Sequence, residues 1–135
     1  MLEKNILEKM FNLNPPIDEN SINNIQKDID IIIPNEYKEF LLICNGLNFN
    51  GNLALHELED MPQRNLDYGV QESLPDYFMI GDDSGGRAIL INKGGVIFEV
   101  GMGDMSLEGL EKSAESIEDL LINHEGKTLN ERNFD

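Results

Sequence analysis

The chain has 135 residues, the usual length of one domain, and 26 acidic against 10 basic residues give it a formal net charge of −16. This balance excludes duplex nucleic acid as an expected ligand, since phosphate binding depends on clustered Lys and Arg. No apolar run approaches the roughly 20 residues that cross a bilayer and the N-terminus has no signal-type stretch, so we expect a cytoplasmic protein without a membrane partner.

The first third of the chain has the apolar spacing of three helices. Residues 2–11 predict an amphipathic helix, and Asp18 is a suitable N-cap for a second helix that reaches about Asp28. Pro34 suits the first position of a third helix, and Gly46 suits the left-handed C′ position that ends it. The apolar positions of the third helix recur at i, i+3, i+4 and i+7: Tyr37, Phe40, Leu41 and Cys44.

After Gly46 the apolar period shortens towards two, which is typical of strands. Leu53 and Leu55 indicate a first strand, and a short helix is expected near residues 63–68. Three further strands are rich in β-branched and aromatic residues: 77–81, 87–92 and 96–100. The sequence Lys93-Gly94-Gly95 predicts a hairpin between the last two.

The C-terminal part predicts one more helix. Ser116 and Asp119 resemble a capping box, and the helix should run to Gly126. The fold class is therefore α+β: a single domain over 1–135 with a mostly antiparallel sheet, N-terminal helices and one C-terminal helix. We expect the core to occupy about 17–122 and the tail 126–135 to be frayed.

The segment 81–86, Gly-Asp-Asp-Ser-Gly-Gly, is the first candidate for chemistry. It is similar to the sequence around a serine-protease nucleophile, but the extra Asp spoils the match and neither His56 nor His124 stands in a fitting context. It also lacks the spaced ligands of an EF-hand and the Lys of a P-loop. A tight turn whose Asp side chains bond the local backbone is the favoured interpretation.

Metal ligands are also scarce. One Cys and two separated His make a zinc site improbable on spacing alone, and Cys44 on an apolar helix face is expected to act as a small hydrophobe. We therefore predict no catalytic residues, no metal and no cofactor.

Acidic residues are concentrated in two stretches. Residues 57–83 and 99–125 each hold eight acids and one base, so together they carry −14 of the net −16. A solvated, merely soluble surface is one interpretation, and an acidic patch that attracts a basic protein is the other. The Met- and Gly-containing segment 101–105 is either contact surface or a bulged strand end. The candidate acidic face comprises Glu57, Glu59, Asp60, Asp82, Asp83, Glu99, Asp104 and Glu108.

Four motifs in order resemble those of the SUKH superfamily. Residues 33–46 are similar to its Leu-Pro-x-x-Tyr-x-x-Phe-Leu-x-x-x-Asn-Gly signature, with Ile33 in place of the commoner Leu. Residues 77–86 resemble its Ile-Gly-x-x-Gly-Gly strand and turn, 96–100 its next strand, and 116–121 its closing helix. The matching signature residues are Pro34, Tyr37, Phe40, Asn45, Gly46, Gly81, Gly85 and Gly86.

This resemblance implies an α+β fold and a protein-binding function. The superfamily includes fungal cell-wall-assembly regulators of the Smi/Knr type and bacterial immunity proteins, which neutralise a toxin that is often a nuclease. The first hypothesis is thus an immunity protein with a basic toxin as partner. The alternative is a regulatory or scaffold module, or a sensor of a peptide or small ligand. Neither the partner's identity nor the oligomeric state follows from the sequence.

Overall fold

The structure, a computed structural model, describes residues 2–29, 31–49 and 52–132. The α-helices are α1 Lys4–Met10, α2 Glu19–Gln26, α3 Asn35–Ile43, α4 Met61–Asp67, α5 Val70–Ser73 and α6 Leu129–Arg132. A 3₁₀ turn, Leu58–Asp60, precedes α4, and a π-helix spans Asp119–Asn123. The strands are β1 Asn12–Leu13, β2 Leu47–Asn48, β3 Ala54–Leu55, β4 Tyr77–Asp82, β5 Arg87–Asn92, β6 Ile97–Gly101 and β7 Glu111–Ala114.

The seven strands form one antiparallel sheet in which every strand pairs with the next along the chain. The long central strands β4, β5 and β6 carry the β-branched and aromatic residues that favour a pleated, buried surface. A register shift between Met79 and Gly81 bulges β4 at Ile80. This α+β architecture with an antiparallel sheet confirms the predicted fold class.

The two faces of the sheet bury separate apolar clusters, because side chains alternate along each strand. The first face is covered by α1, α2, α3 and the π-helix, and its strand residues include Phe78, Ile80, Ile89, Ile91 and Ile97. The second face is covered by α5 and the segment 102–110, around the fully buried residues Val70, Leu74, Met79, Ala88, Leu90 and Val100.

The predicted starts of α2 and α3 are found, the start of α3 with a shift of one residue. Asp18 caps α2, since its carboxylate accepts a hydrogen bond from the Ser21 amide at 2.7 Å. Pro34 is the N-cap of α3 and not its first helical residue. The helix ends in extended backbone at Cys44, so Gly46 does not occupy the C′ position, although its φ of +92° is in the left-handed region.

The C-terminal part differs most from the prediction. Ser116 does cap the turn, because its hydroxyl accepts from the Asp119 amide at 3.0 Å, but the following helix is a π-helix of five residues. We expected a frayed tail, but its described part is packed on the domain: Thr128 is buried, and Arg132 donates to the Ser113 carbonyl oxygen at 2.7 Å. Residues 133–135 of the predicted frayed tail lie outside the described residues.

Candidate acidic interface

One layer of the molecule carries exposed acid from both acid-rich stretches. We define this acidic layer as residues 57–76, which contain α4 and α5, together with 102–110. The Asn65 side chain fixes α4 to the backbone of β4, accepting from the Met79 amide at 2.7 Å and donating to the Met79 carbonyl at 3.0 Å. Met61 of α4 is part of the first apolar cluster, whereas Met102, Met105 and Leu110 pack on the second cluster together with α5. Residues 70–76 and 102–110, far apart in sequence, therefore meet on the second face, and α4 adjoins α5 beside β4.

Every acidic side chain of this layer is exposed. The eight acids are Glu57, Glu59, Asp60, Asp67, Glu72, Asp76, Asp104 and Glu108. The one basic residue within these ranges is Arg64, which is also exposed. Asp67, Glu72 and Asp76 were not in the predicted face, although the charge count of 57–83 already included them. The layer thus concentrates negative charge on one surface, with little basic compensation.

The acidic layer also contains exposed apolar side chains. Leu66 on α4 is 73% exposed, Tyr68 after it 40%, and Leu107 in the segment 102–110 67%. Leu66 also lines a depression of about 490 Å³ together with Pro62 and Asp28. Sequence reasoning missed these residues because single surface hydrophobes are common. Their position among carboxylates is known only from the fold.

Asp82 is half-buried and engaged with His56. The His56 Nε2 and Asp82 Oδ2 atoms are 2.8 Å apart, and the histidine ring is buried. The hydrogen bond to His56 is the main cause that lowers the pKa of Asp82, with a smaller contribution from the Ser84 amide. No third group takes up the other ring nitrogen, since His56 Nδ1 has no hydrogen-bond partner in the described structure. The pair therefore holds β3 against β4 and does not form a catalytic triad.

We predicted that Asp83 lies on the accessible acidic face, but the structure buries it. It is 5% exposed, and its Oδ1 accepts from the Gly85 amide at 2.8 Å and the Arg87 amide at 3.0 Å. Gly86 takes a φ of +97° in this turn. The turn interpretation of 81–86 is thereby confirmed, and the carboxylate of Asp83 is used in forming the turn.

Glu99 is likewise buried, contrary to the predicted acidic face. It lies on β6 with only 1% exposure, and its Oε2 accepts from the Ser113 hydroxyl and the Leu129 amide, both at 2.9 Å. Arg87 Nε stands 3.6 Å from the other carboxylate oxygen, and Arg87 Nη2 also binds the exposed Glu111 at 2.9 Å. Glu99 therefore joins β5, β7 and the C-terminal segment. Glu111 is the first residue of β7.

The signature residues act at points of close packing. Asn45, 5% exposed, accepts from the Leu58 amide at 2.9 Å and donates to Glu59 Oε1 at 2.6 Å, which connects the end of α3 to the acidic layer. A Cβ on Gly46 would lie 2.4 Å from the Leu55 carbonyl oxygen, so a side chain has no room there. Gly81 is equally confined, by the Ala54 carbonyl at 2.2 Å.

Two aromatic signature residues and the cysteine form the core side of α3. The Tyr37 and Phe40 rings lie 5.2 Å apart and are buried. Burial raises the pKa of the Cys44 thiol to about 11, so this cysteine stays protonated at neutral pH and packs as an apolar residue. Burial likewise raises the pKa of the Tyr37 phenol.

Within the residues that the structure describes, no three His, Cys, Asp or Glu side chains are grouped to hold a metal ion. The same described residues contain no helix with the length and apolar composition needed to span a membrane. The exposed side chains of the acidic layer are mainly carboxylates with a few apolar residues, an arrangement suited to contact with a surface of opposite charge.

A seven-stranded antiparallel meander with helices packed on it and exposed acids on the segments 57–76 and 102–110 defines a small α+β domain with an accessible acidic surface. The model of the SMI1/KNR4 family (SUKH-1) matches residues 16–123, and the chain belongs to this family. It is also similar to the uncharacterized protein YnaB of Bacillus subtilis (strain 168), with 28% identity over 81 residues. That match covers 59% of this chain and spans 54% of the length of YnaB.

Proposed function

We propose that this protein is a non-catalytic binding protein of the immunity type, which neutralises a basic toxin by covering it with the acidic layer. The observation that carries the proposal is that exposed acids of both acid-rich stretches lie on adjoining segments, because α4 contacts α5 and α5 shares one apolar cluster with residues 102–110. Asp83 and Glu99 are removed from the contact set because they are buried. The exposed acids, with half-buried Asp82 at the edge, remain as contacts.

Such a surface acts first on the rate of encounter. Electrostatic steering raises association rate constants to about 10⁸–10⁹ M⁻¹s⁻¹ at low salt, against roughly 10⁵–10⁶ for neutral partners. A nuclease toxin presents basic groups to phosphate, so the acidic layer would compete with nucleic acid for the same groups. Screening over a Debye length of about 8 Å at physiological ionic strength makes this attraction salt-dependent.

Affinity then depends on a few buried contacts near the centre of the interface. Leu66, Tyr68 and Leu107 are exposed apolar side chains within the acidic layer and supply such anchors. Carboxylates around them are suited to a surrounding rim of ion pairs. We therefore assign steering to the acids and residence time to these three side chains.

Co-expression tests the proposal. The product of the gene immediately upstream is expressed in cells with and without this protein, and we expect growth only when both are present. The double variant Asp60→Lys with Glu108→Lys should lower the association rate constant at least about tenfold at low salt. The matched control, Glu3→Lys with Glu8→Lys on and beside α1, makes the same change in net charge and should retain most of the rate.

Two outcomes contradict the proposal. One is unchanged survival in the absence of this protein. The other is a complex with the upstream product whose association is indifferent to ionic strength and to the Asp60→Lys and Glu108→Lys reversals.

A further inference from the structure

A second surface lies on α3, apart from the acidic layer. It is a groove of about 490 Å³ formed along α3, the N-terminal end of the described chain and the turn before the π-helix. Its lining consists of four apolar residues and three glutamates: Leu2, Phe40, Leu42, Ile43, Glu36, Glu39 and Glu118. Because α3 packs on the first face of the sheet, this groove shares no residue with the acidic layer.

Among the described residues that line the groove, Leu42 is the one apolar residue that does not pack in or against the core. The inner face of α3 is already occupied by Tyr37, Phe40 and Leu41, all buried. Leu42 projects away from that face and is 45% exposed, and Ile43 beside it is half-buried. A charged residue at position 42 would cost the fold little, so a leucine there leaves apolar surface for contact with another molecule.

Charge identifies the occupant. Glu36, Glu39 and Glu118 line the groove, and none of its seven described lining residues is basic. A second copy of this chain would bring three further carboxylates into the groove, and an anionic lipid surface would also be repelled. A helix with leucines along one stripe and Lys or Arg beside them satisfies both the apolar floor and the acidic rim.

We propose that this groove binds a basic amphipathic helix of a partner protein, as a docking site distinct from the acidic layer. The helix would lay its apolar stripe on Leu42 and the half-buried Ile43 and pair its basic side chains with Glu36 and Glu39. This inference does not depend on the proposed immunity function, because the groove and the acidic layer have no residue in common. A protein with both surfaces can hold two segments at once.

The probe is a fluorescein-labelled peptide of about 18 residues, built from Lys, Ala and Leu with the leucines on one helical face. A scrambled peptide of the same composition, with leucines on all faces, measures attraction by charge alone. We expect the amphipathic peptide to bind at least about tenfold more tightly by fluorescence anisotropy. Amide chemical-shift changes should be confined to Leu42, Ile43 and their neighbours.

Matched variants separate the groove from general acidity. Leu42→Ser should abolish the preference for the amphipathic peptide, whereas Leu66→Ser, a change of the same type in the acidic layer, should leave it intact. Glu36→Lys with Glu39→Lys should weaken binding more than Asp60→Lys with Glu108→Lys, which changes the net charge equally. Circular dichroism checks that each variant is folded.

Three results overturn the inference. They are equal binding of the two peptides, an equal effect of Leu42→Ser and Leu66→Ser, and a dimer in sedimentation experiments that Leu42→Ser dissociates, since the groove would then hold a second copy. None of these results bears on toxin neutralisation, which the Asp60→Lys and Glu108→Lys variant tests separately.

Discussion

Replacing the buried Glu99 by alanine should destabilise the fold without weakening a charge-driven complex. Glu99 accepts two hydrogen bonds, from Ser113 Oγ and from the Leu129 amide, both at 2.9 Å. Its other carboxylate oxygen, Oε1, lies 3.6 Å from Arg87 Nε. The alanine variant removes the oxygen that accepts both hydrogen bonds and leaves the guanidinium of Arg87 with the exposed Glu111 as its carboxylate partner.

The magnitude follows from these contacts. A hydrogen bond to a charged group contributes about 1.5–3 kcal/mol, and removing one partner of a buried ion pair costs about 3–5 kcal/mol. The side chain of Arg87 is 22% exposed and can partly hydrate, so we place Glu99→Ala near the lower end, at about 3 kcal/mol. Glu99→Gln keeps the shape and an acceptor oxygen and should cost about 1–2 kcal/mol.

Urea denaturation gives the free energies of unfolding, and hydrogen exchange locates the effect. We expect the Leu129 amide to lose protection in Glu99→Ala, because the C-terminal segment is released from β6. Glu111→Ala is the control: this carboxylate is 63% exposed and its ion pair should contribute less than about 1 kcal/mol. Equal losses in the two variants, or an unchanged Leu129 amide, would refute the assignment of Glu99 as an internal tie.

Three further changes probe other parts of the structure. Gly81→Ala puts a Cβ 2.2 Å from the Ala54 carbonyl oxygen and should lower the free energy of unfolding, measured by urea denaturation, by about 1–3 kcal/mol or more. Gly103→Ala is the control, because its Cβ would have no neighbouring atom within 4 Å, and it should change this free energy by less than about 0.5 kcal/mol. Asn45→Ala leaves the Leu58 amide without its acceptor and should cost about 1–3 kcal/mol, with faster exchange of that amide; unchanged exchange would contradict this role. The pKa of Asp82 is lowered in the folded state, so the contribution of this carboxylate to stability is complete above its ordinary pKa of 3.8 and is lost as the pH falls through the depressed pKa. The free energy of unfolding should therefore fall less steeply below about pH 4 in Asp82→Asn than in the wild type. Equal slopes in the two proteins would contradict this assignment.

The sequence was most informative where a local signal and a tertiary contact agree. Asp18 is both a good capping residue and the observed cap of α2. The strands β4 to β6 have the composition of central strands, and they form the centre of the sheet. In contrast, β1 and β2 contain two residues each and carry no periodicity of their own, so their pairing depends on contacts 34 to 36 residues apart in sequence, such as Asn12 with Asn48.

Acidic residues were the main source of error, because composition does not distinguish a solvated carboxylate from a satisfied buried one. Glu99 follows the buried Ile97 by two positions, so the two side chains share one face of the strand. This alternation already indicated that Glu99 is buried, but its charge led us to place it on the surface. Asp83 carried two competing interpretations, turn former and surface acid, and the structure supports the former. The exposed Leu42 and Leu66 could not be distinguished from core leucines before the helix orientations were known.

The order of strands in the sheet has a consequence for synthesis. Because β4, β5 and β6 are joined by short turns, these hairpins can close with a small entropic cost as soon as their second strand leaves the ribosome, whereas β1 must wait until α2 and α3 have been made before it can pair with β2. The Leu129 amide is made later than Arg87 and Ser113, the other groups that contact the carboxylate of Glu99. This buried carboxylate therefore lacks one of its hydrogen-bond donors until residue 129 has been synthesised.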